Sequence, residues 1–153
     1  MIIYRLTKEK FANQLSGFGA EQSGGRWNSK GGAMIYTSEN RSLCTAEIAV
    51  HTPLGIMPRD FCLISIEVPD NMKIESLALK DLPYKWREIP PDVASQKVGD
   101  AFIRNSKSSV LKVPSVVVQG EYNYLINPNH LDFNKIKIKK IEPFSFDERL
   151  FSI

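Results

Sequence analysis

Met34-Ile35-Tyr36-Thr37-Ser38-Glu39-Asn40-Arg41-Ser42-Leu43-Cys44-Thr45-Ala46-Glu47-Ile48-Ala49-Val50-His51-Thr52-Pro53 reads as a strand, a cap and a helix. Met34 to Thr37 is apolar, β-branched and aromatic, the composition of a short strand. Ser38 or Asn40 can cap the helix that follows, which spans about Arg41 to His51 until Pro53 stops it. Working outward, Met1 to Leu6 alternates as a strand does, and Thr7 can cap a short helix carrying Phe11 and Leu15 that Gly17 would terminate. Phe61 to Val68 is apolar enough for an interior strand, and Ser95 to Asn105 fits a helix with Val98, Phe102 and Ile103 inward. Val113 to Val118 reads as a strand, Pro114 marking its start or an edge. Lys135-Ile136-Lys137-Ile138-Lys139 alternates as a half-buried strand with its lysines in water. The stretch around Pro83, Pro90 and Pro91 is irregular. Strands and helices mix without a regular βα repeat, so an α+β fold is expected over a doubly wound sheet.

The 153 residues suit a single domain, 1–153, with one core, and 42% hydrophobic with 10% aromatic content is that of a folded chain. No apolar run is long enough to cross a bilayer, and the N-terminus lacks the pattern of a secretory signal. Cys44 and Cys62 sit in apolar stretches with no dense cysteine framework around them, which makes the cytoplasm the expected compartment. A net charge of +3 suits an anionic small molecule or an acidic partner and is too mild to argue for nucleic acid. The four His and Cys residues show no close-paired metal-ligand spacing, so no metal is expected. The chain lacks a Gly-Lys-Ser/Thr phosphate loop, and Gly17-Phe18-Gly19 fails as a dinucleotide fingerprint because Gln22 stands where a glycine belongs.

Glu47 is the most informative acid. On a helix it shares a stripe with Leu43 and Val50, so a carboxylate stands where a core residue is expected. Taking it out of water is costly unless it is paired, hydrogen-bonded or protonated, so it is a functional acid, the counter-charge of a buried arginine, or an acid pointing out through a gap. Arg26 lies in Gly24-Gly25-Arg26-Trp27-Asn28, where glycines allow close approach to a ligand and a guanidinium can grip phosphate. Tyr36, just ahead of the Glu47 helix, can face the same cavity or pack in the core. Ser115 shares a strand face with Val113 and Val117 and lacks a nucleophile-elbow context. Asn123 and Asn127 bracket Tyr124-Leu125-Ile126, and a polar turn accounts for both. His51 fits the C-terminal end of its helix.

Taken together, these segments resemble the RES domain, a family named for Arg, Glu and Ser positions. The resemblance runs in order through Leu15–Ala20, Gly24–Asn28, Ile35–Ser38 with Ser42-Leu43, and Ala46-Glu47 with Val50-His51. It continues through Val113–Val118, Glu121–Pro128 with His130, and Phe146-Asp147 with Arg149-Leu150, spanning nearly the whole chain. It implies a mixed, split β-sheet core flanked by helices, as in the ADP-ribosyltransferase fold. It implies a toxin of a type II toxin–antitoxin system that depletes NAD by cleaving the nicotinamide–ribose bond, as glycohydrolase or phosphorylase. The partner implied is an Xre/DUF2384-type antitoxin, with nucleic acid met only through it and no membrane involved. NAD enters as substrate and inorganic phosphate as a candidate co-substrate, with no resident cofactor.

Carried over by position, Arg26, Tyr36, Glu47 and Ser115 line the pocket, with Asn123 a further member. Glu47 would steady the ribosyl cation, Arg26 would hold phosphate, Tyr36 would stack on nicotinamide, and Ser115 would bond its amide or the ribose. The alternatives are mono-ADP-ribosylation of a protein target from the same pocket, an RNA-directed toxin, and an inactive interaction module. An RNA-directed toxin calls for a clustered basic face or a His-based cleavage pair, and neither is visible.

Overall fold

The computed structural model describes residues 1–153. Seven strands form one sheet: β1 (Ile2–Lys8), β2 (Ile35–Ser38), β3 (Phe61–Glu67), β4 (Ile74–Ser76), β5 (Val110–Pro114), β6 (Tyr122–Ile126) and β7 (Lys137–Phe144). Their spatial order is β4-β5-β6-β2-β1-β3-β7; β4 and β5 run parallel and every other pair antiparallel. Three α-helices, α1 (Phe18–Ser23), α2 (Arg41–His51) and α3 (Val93–Asn105), complete an α+β architecture. No helix is long and apolar enough to cross a membrane.

The sheet is nearly divided at its centre. β1 pairs with β3 along seven residues, yet meets β2 at the single register pair Tyr4–Ser38. Four strands therefore lie on one side of a seam and three on the other. Arg5 reaches across the seam and donates from its guanidinium to the backbone carbonyl of Tyr36 at 3.2 Å.

Successive strand residues point to opposite faces, and the core divides accordingly. Ile3, Ile35, Ile64, Ile66, Val110 and Ile126 pack on one face with Ala12 and Ile136 from the connections. The helical face carries two separate clusters. Phe102 of α3 packs with Met34, Leu111, Val113, Leu125 and the two tryptophans, Trp27 and Trp86. Cys44 of α2 packs with Leu6, Leu63, Phe146 and Phe151.

Several expectations hold closely. α2 spans Arg41–His51, and of its two candidate caps Asn40 is the one used, its side-chain oxygen accepting from the backbone N–H of Leu43 at 2.7 Å. Others need correction. The helix expected after Thr7 is a single 3₁₀ turn, Glu9–Phe11. Phe11 stays half exposed there, while Leu15 packs partly buried against the core without a helix to carry it. Gly17 does not end a helix. It holds a left-handed φ of 69° and starts α1.

Two corrections bear on the site. The strand expected over 113–118 ends at Pro114, the last residue of β5, which pairs with Tyr122 of β6 on one side and lies beyond the end of the β4 pairing on the other. Ser115 then begins a turn, its hydroxyl accepting the backbone N–H groups of Val117 and Val118 at 3.0 and 3.1 Å. Asn123 is not in a turn: it lies within β6, paired with Val113 on one side and Ser38 on the other. The β-forming run Tyr122-Asn123-Tyr124-Leu125-Ile126 outweighs the turn preference of a lone asparagine.

Candidate active site

The gap between the two clusters of the helical face is where the polar residues converge. α2 delivers Glu47 to it, with the side chain 24% exposed. Oε1 of Glu47 accepts from Asn123 Nδ2 at 2.7 Å and from Ser115 Oγ at 3.2 Å. Asn123 is held in turn, because Ser38 Oγ donates to its Oδ1 at 2.9 Å. Oε2 accepts no hydrogen bond from the protein; His51 Nε2, one turn on and largely exposed, stands 4.0 Å from it. The stripe on which Glu47 stands therefore splits by position. Leu43 is fully buried, Glu47 lines the gap, and Val50 is 59% exposed. Glu47 is not the counter-ion of a fully buried arginine, for no arginine makes an ion pair with it.

Ser115 has one hydroxyl proton, and Glu47 takes it. Its lone pairs are held by the backbone of the following turn, and the residue is 2% exposed. The geometry suits Ser115 to orienting the carboxylate.

Arg26 belongs to a loop, residues 24–32, fastened from several directions. Tyr36 Oη donates to Asn28 Oδ1 at 2.6 Å and accepts the backbone N–H of Trp27 at 3.1 Å. The buried amide of Asn28 donates to the carbonyls of Ala20 and Gly32 at 2.8 and 3.0 Å. From α3, Gln96 donates to the carbonyl of Gly25 at 3.0 Å, and Asp100 receives the backbone N–H and hydroxyl of Ser29. Such fastening lets a loop present a side chain with the precision of a helix.

One guanidinium nitrogen of Arg26 donates to the carbonyls of Trp86 at 2.6 Å and Glu88 at 3.0 Å. Burial holds the Arg26 pKa below its ordinary value, and the nearby charge of Glu47 opposes that fall. Arg26 therefore feels the charge of Glu47, with no hydrogen bond or ion pair joining the two. Burial also raises the Tyr36 phenol well above its usual value, so it stays neutral and keeps its proton for Asn28.

Of the residues singled out from the sequence, Glu47, Ser115 and Asn123 meet in one hydrogen-bonded group. Arg26 joins them by charge, and Tyr36 by fastening the Arg26 loop. Sequence reasoning missed Ser38, which orients Asn123, and Arg5, whose guanidinium makes a single hydrogen bond in the protein. Burial lowers the Arg5 pKa, with Cys44 opposing. The available signal for Arg5 was a charge between apolar neighbours in Ile3-Tyr4-Arg5-Leu6, on a strand read only for its alternation.

Known proteins supply an independent comparison. The family model described as the RES domain matches residues 2–147. A protein of Sphingobium sp. (strain YBL2) called Prs ADP-ribosylating toxin is 38% identical over 141 residues, covering 91% of this chain and 88% of that one. Toxin Res of Photorhabdus laumondii subsp. laumondii is 36% identical over 153 residues, covering 98% and 97%. Among solved structures, a chain of the M. tuberculosis MbcT–MbcA toxin–antitoxin complex superposes with a TM-score of 0.74. It covers 98% of this chain and 86% of that one at 20% identity, and so supports the fold.

Proposed function

The chain belongs to the RES domain family, and from that premise we propose that it is the toxin of a toxin–antitoxin pair and consumes NAD at the nicotinamide–ribose bond. The observation that carries this reading is the state of the Glu47 carboxylate. One oxygen is fixed by Asn123 and Ser115, and the other is left without a protein donor, within reach of the Arg26 charge.

Breaking the glycosidic bond sends its electron pair to the pyridinium nitrogen, so nicotinamide departs neutral and needs no proton. Positive charge grows instead on the ribose. A carboxylate of fixed orientation in a site partly shielded from water stabilises that charge and can align an incoming nucleophile. Water would then give ADP-ribose and a proton; inorganic phosphate would give ADP-ribose-1″-phosphate. Arg26 is assigned to a phosphate of the substrate, its guanidinium offering further N–H groups beyond the one nitrogen bound to Trp86 and Glu88. Tyr36 contributes its ring to the nicotinamide side while its hydroxyl holds the Arg26 loop. Ser115 and Asn123 act through Glu47 as positioning residues.

A second reading, transfer of ADP-ribose to a protein side chain, is favoured by the name of the Sphingobium relative. It uses the same cleavage and differs in the acceptor. An Xre/DUF2384-type antitoxin is the partner this reading assigns.

The test is purified Glu47→Gln against wild type, with NAD labelled in the ADP-ribose portion. The amide oxygen of the substituted glutamine can still accept from Asn123 and Ser115, so the variant is expected to fold normally while losing about 10²-fold or more in rate. Free ADP-ribose, its 1″-phosphate or a labelled protein band identifies the acceptor. A variant as active as wild type would refute the assignment.

A further inference from the structure

The segment that Arg26 grips carries features the glycosidic site leaves unused. Trp86 is buried against Trp27, their ring centroids 6.3 Å apart, and Arg87 lies over the Trp86 ring at 4.7 Å. Two residues earlier Tyr84 is 99% exposed, so folding does not account for a large aromatic ring there. Tyr84, Lys85, Arg87, Glu88 and Ile89 line a shallow pocket, wide open to solvent, of about 260 Å³. Glu88 is shared: its backbone carbonyl is bound by Arg26, which joins this pocket to the catalytic gap.

We propose that this pocket is the subsite for the adenosine half of the dinucleotide, with Tyr84 stacking on the adenine. The inference rests on the reading that NAD is the substrate. With the ribosyl bond at Glu47 and the pyrophosphate at Arg26, the adenosine must extend one nucleoside's length beyond Arg26. The segment bonded to Arg26 lies within that reach. It combines an exposed aromatic face with two cations, Lys85 and Arg87, the pairing with which proteins hold a base and its phosphate.

Trp27 and Trp86 are the two tryptophans of the chain, so intrinsic fluorescence reports on both Arg26 and this pocket. Wild type, Tyr84→Ala and Tyr84→Phe are titrated with ADP-ribose and with nicotinamide mononucleotide, which ends before the adenylate. Tyr84→Ala should weaken ADP-ribose about tenfold, and Tyr84→Phe, which keeps the ring, should restore it. Nicotinamide mononucleotide should bind all three alike. Equal weakening of both ligands, or none for ADP-ribose, overturns the subsite. Parallel measurement of kcat/KM for NAD separates the two claims. Tyr84-dependent ADP-ribose binding without any NAD cleavage upholds the subsite and removes the glycosidic reading. Cleavage with an unchanged kcat/KM in Tyr84→Ala removes the subsite alone.

Discussion

The side-chain amide of Asn123 donates to Glu47 at 2.7 Å while its carbonyl accepts from Ser38 at 2.9 Å, so one asparagine links β2, β6 and α2. Its orientation is set by chemistry, since the hydroxyl of Ser38 is pointed at the oxygen and the carboxylate takes the nitrogen. Ser115 adds a second donor to the same Glu47 oxygen. Such a network fixes a rotamer and assigns different work to the two carboxylate oxygens.

Asn123→Asp should therefore be nearly as damaging as removing Glu47 itself. The change replaces the amide donor with a second carboxyl at hydrogen-bond distance, and two such groups cannot both stay ionised without strain. NAD consumption should fall about 10²-fold with the far-ultraviolet circular dichroism intact. Wild-type turnover in this variant would show that the Asn123 anchor is irrelevant.

Gly99 lies on α3 where a Cβ would collide with the backbone carbonyl of Trp27. Backbone cannot yield as a flexible side chain does, so Gly99→Ala must drive helix and loop apart. A loss of about 3 kcal/mol or more is expected, at the upper end of overpacking costs. Chemical denaturation reads it. Because the displaced loop carries Arg26, residual activity at a temperature where the variant is folded should also fall.

Burial above all pushes the Cys44 thiol up to about 11 from an ordinary 9.0. In the unfolded chain the thiol ionises first, so folding stability is complete below pH 9 and declines as the pH rises from about 9 to 11. The decline is on the order of 2–3 kcal/mol. Tyr36, also raised by burial, adds to it above the usual tyrosine range. Cys44→Ala should flatten the slope between those limits without abolishing it. A slope identical to wild type would remove Cys44 as its source. At neutral pH the thiol stays protonated, and native protein should resist alkylation at this residue.

The order of elements was legible wherever a local signal and burial agreed. Asn40, the apolar run before it and Pro53 marked α2 to the residue, and the alternation of Met1–Leu6 and the apolar Phe61–Val68 run located β1 and β3. Glu47 stood out because a carboxylate on an apolar stripe needs a reason. What remained hidden was set by pairing across the sheet. Nothing local to Asn123 says that it lies opposite Ser38, and nothing near Pro114 says that the strand ends there. The contribution of residues 82–90 was invisible for a related reason. Their hold on Arg26 is through backbone carbonyls, which no side-chain pattern announces.

Those carbonyls give Arg26 a structural role beside the ligand-binding one proposed for it, and the two roles can be separated. Arg26→Ala leaves the Trp86 and Glu88 carbonyls without their donor, so amide exchange and proteolysis across residues 82–91 should rise while β3 and β6 stay protected. Arg26→Lys should restore much of that protection, because a single ammonium can meet the two carbonyls that one guanidinium nitrogen now meets. It should not restore turnover, since lysine lacks the planar fork through which arginine holds phosphate oxygens in bidentate fashion. If Arg26→Lys recovers protection and rate together, the residue serves only to hold the segment. If it recovers neither, the carbonyl contacts require the guanidinium plane itself. Protection regained with activity still lost is the outcome expected of a side chain that fastens one wall of the site and binds substrate with what remains.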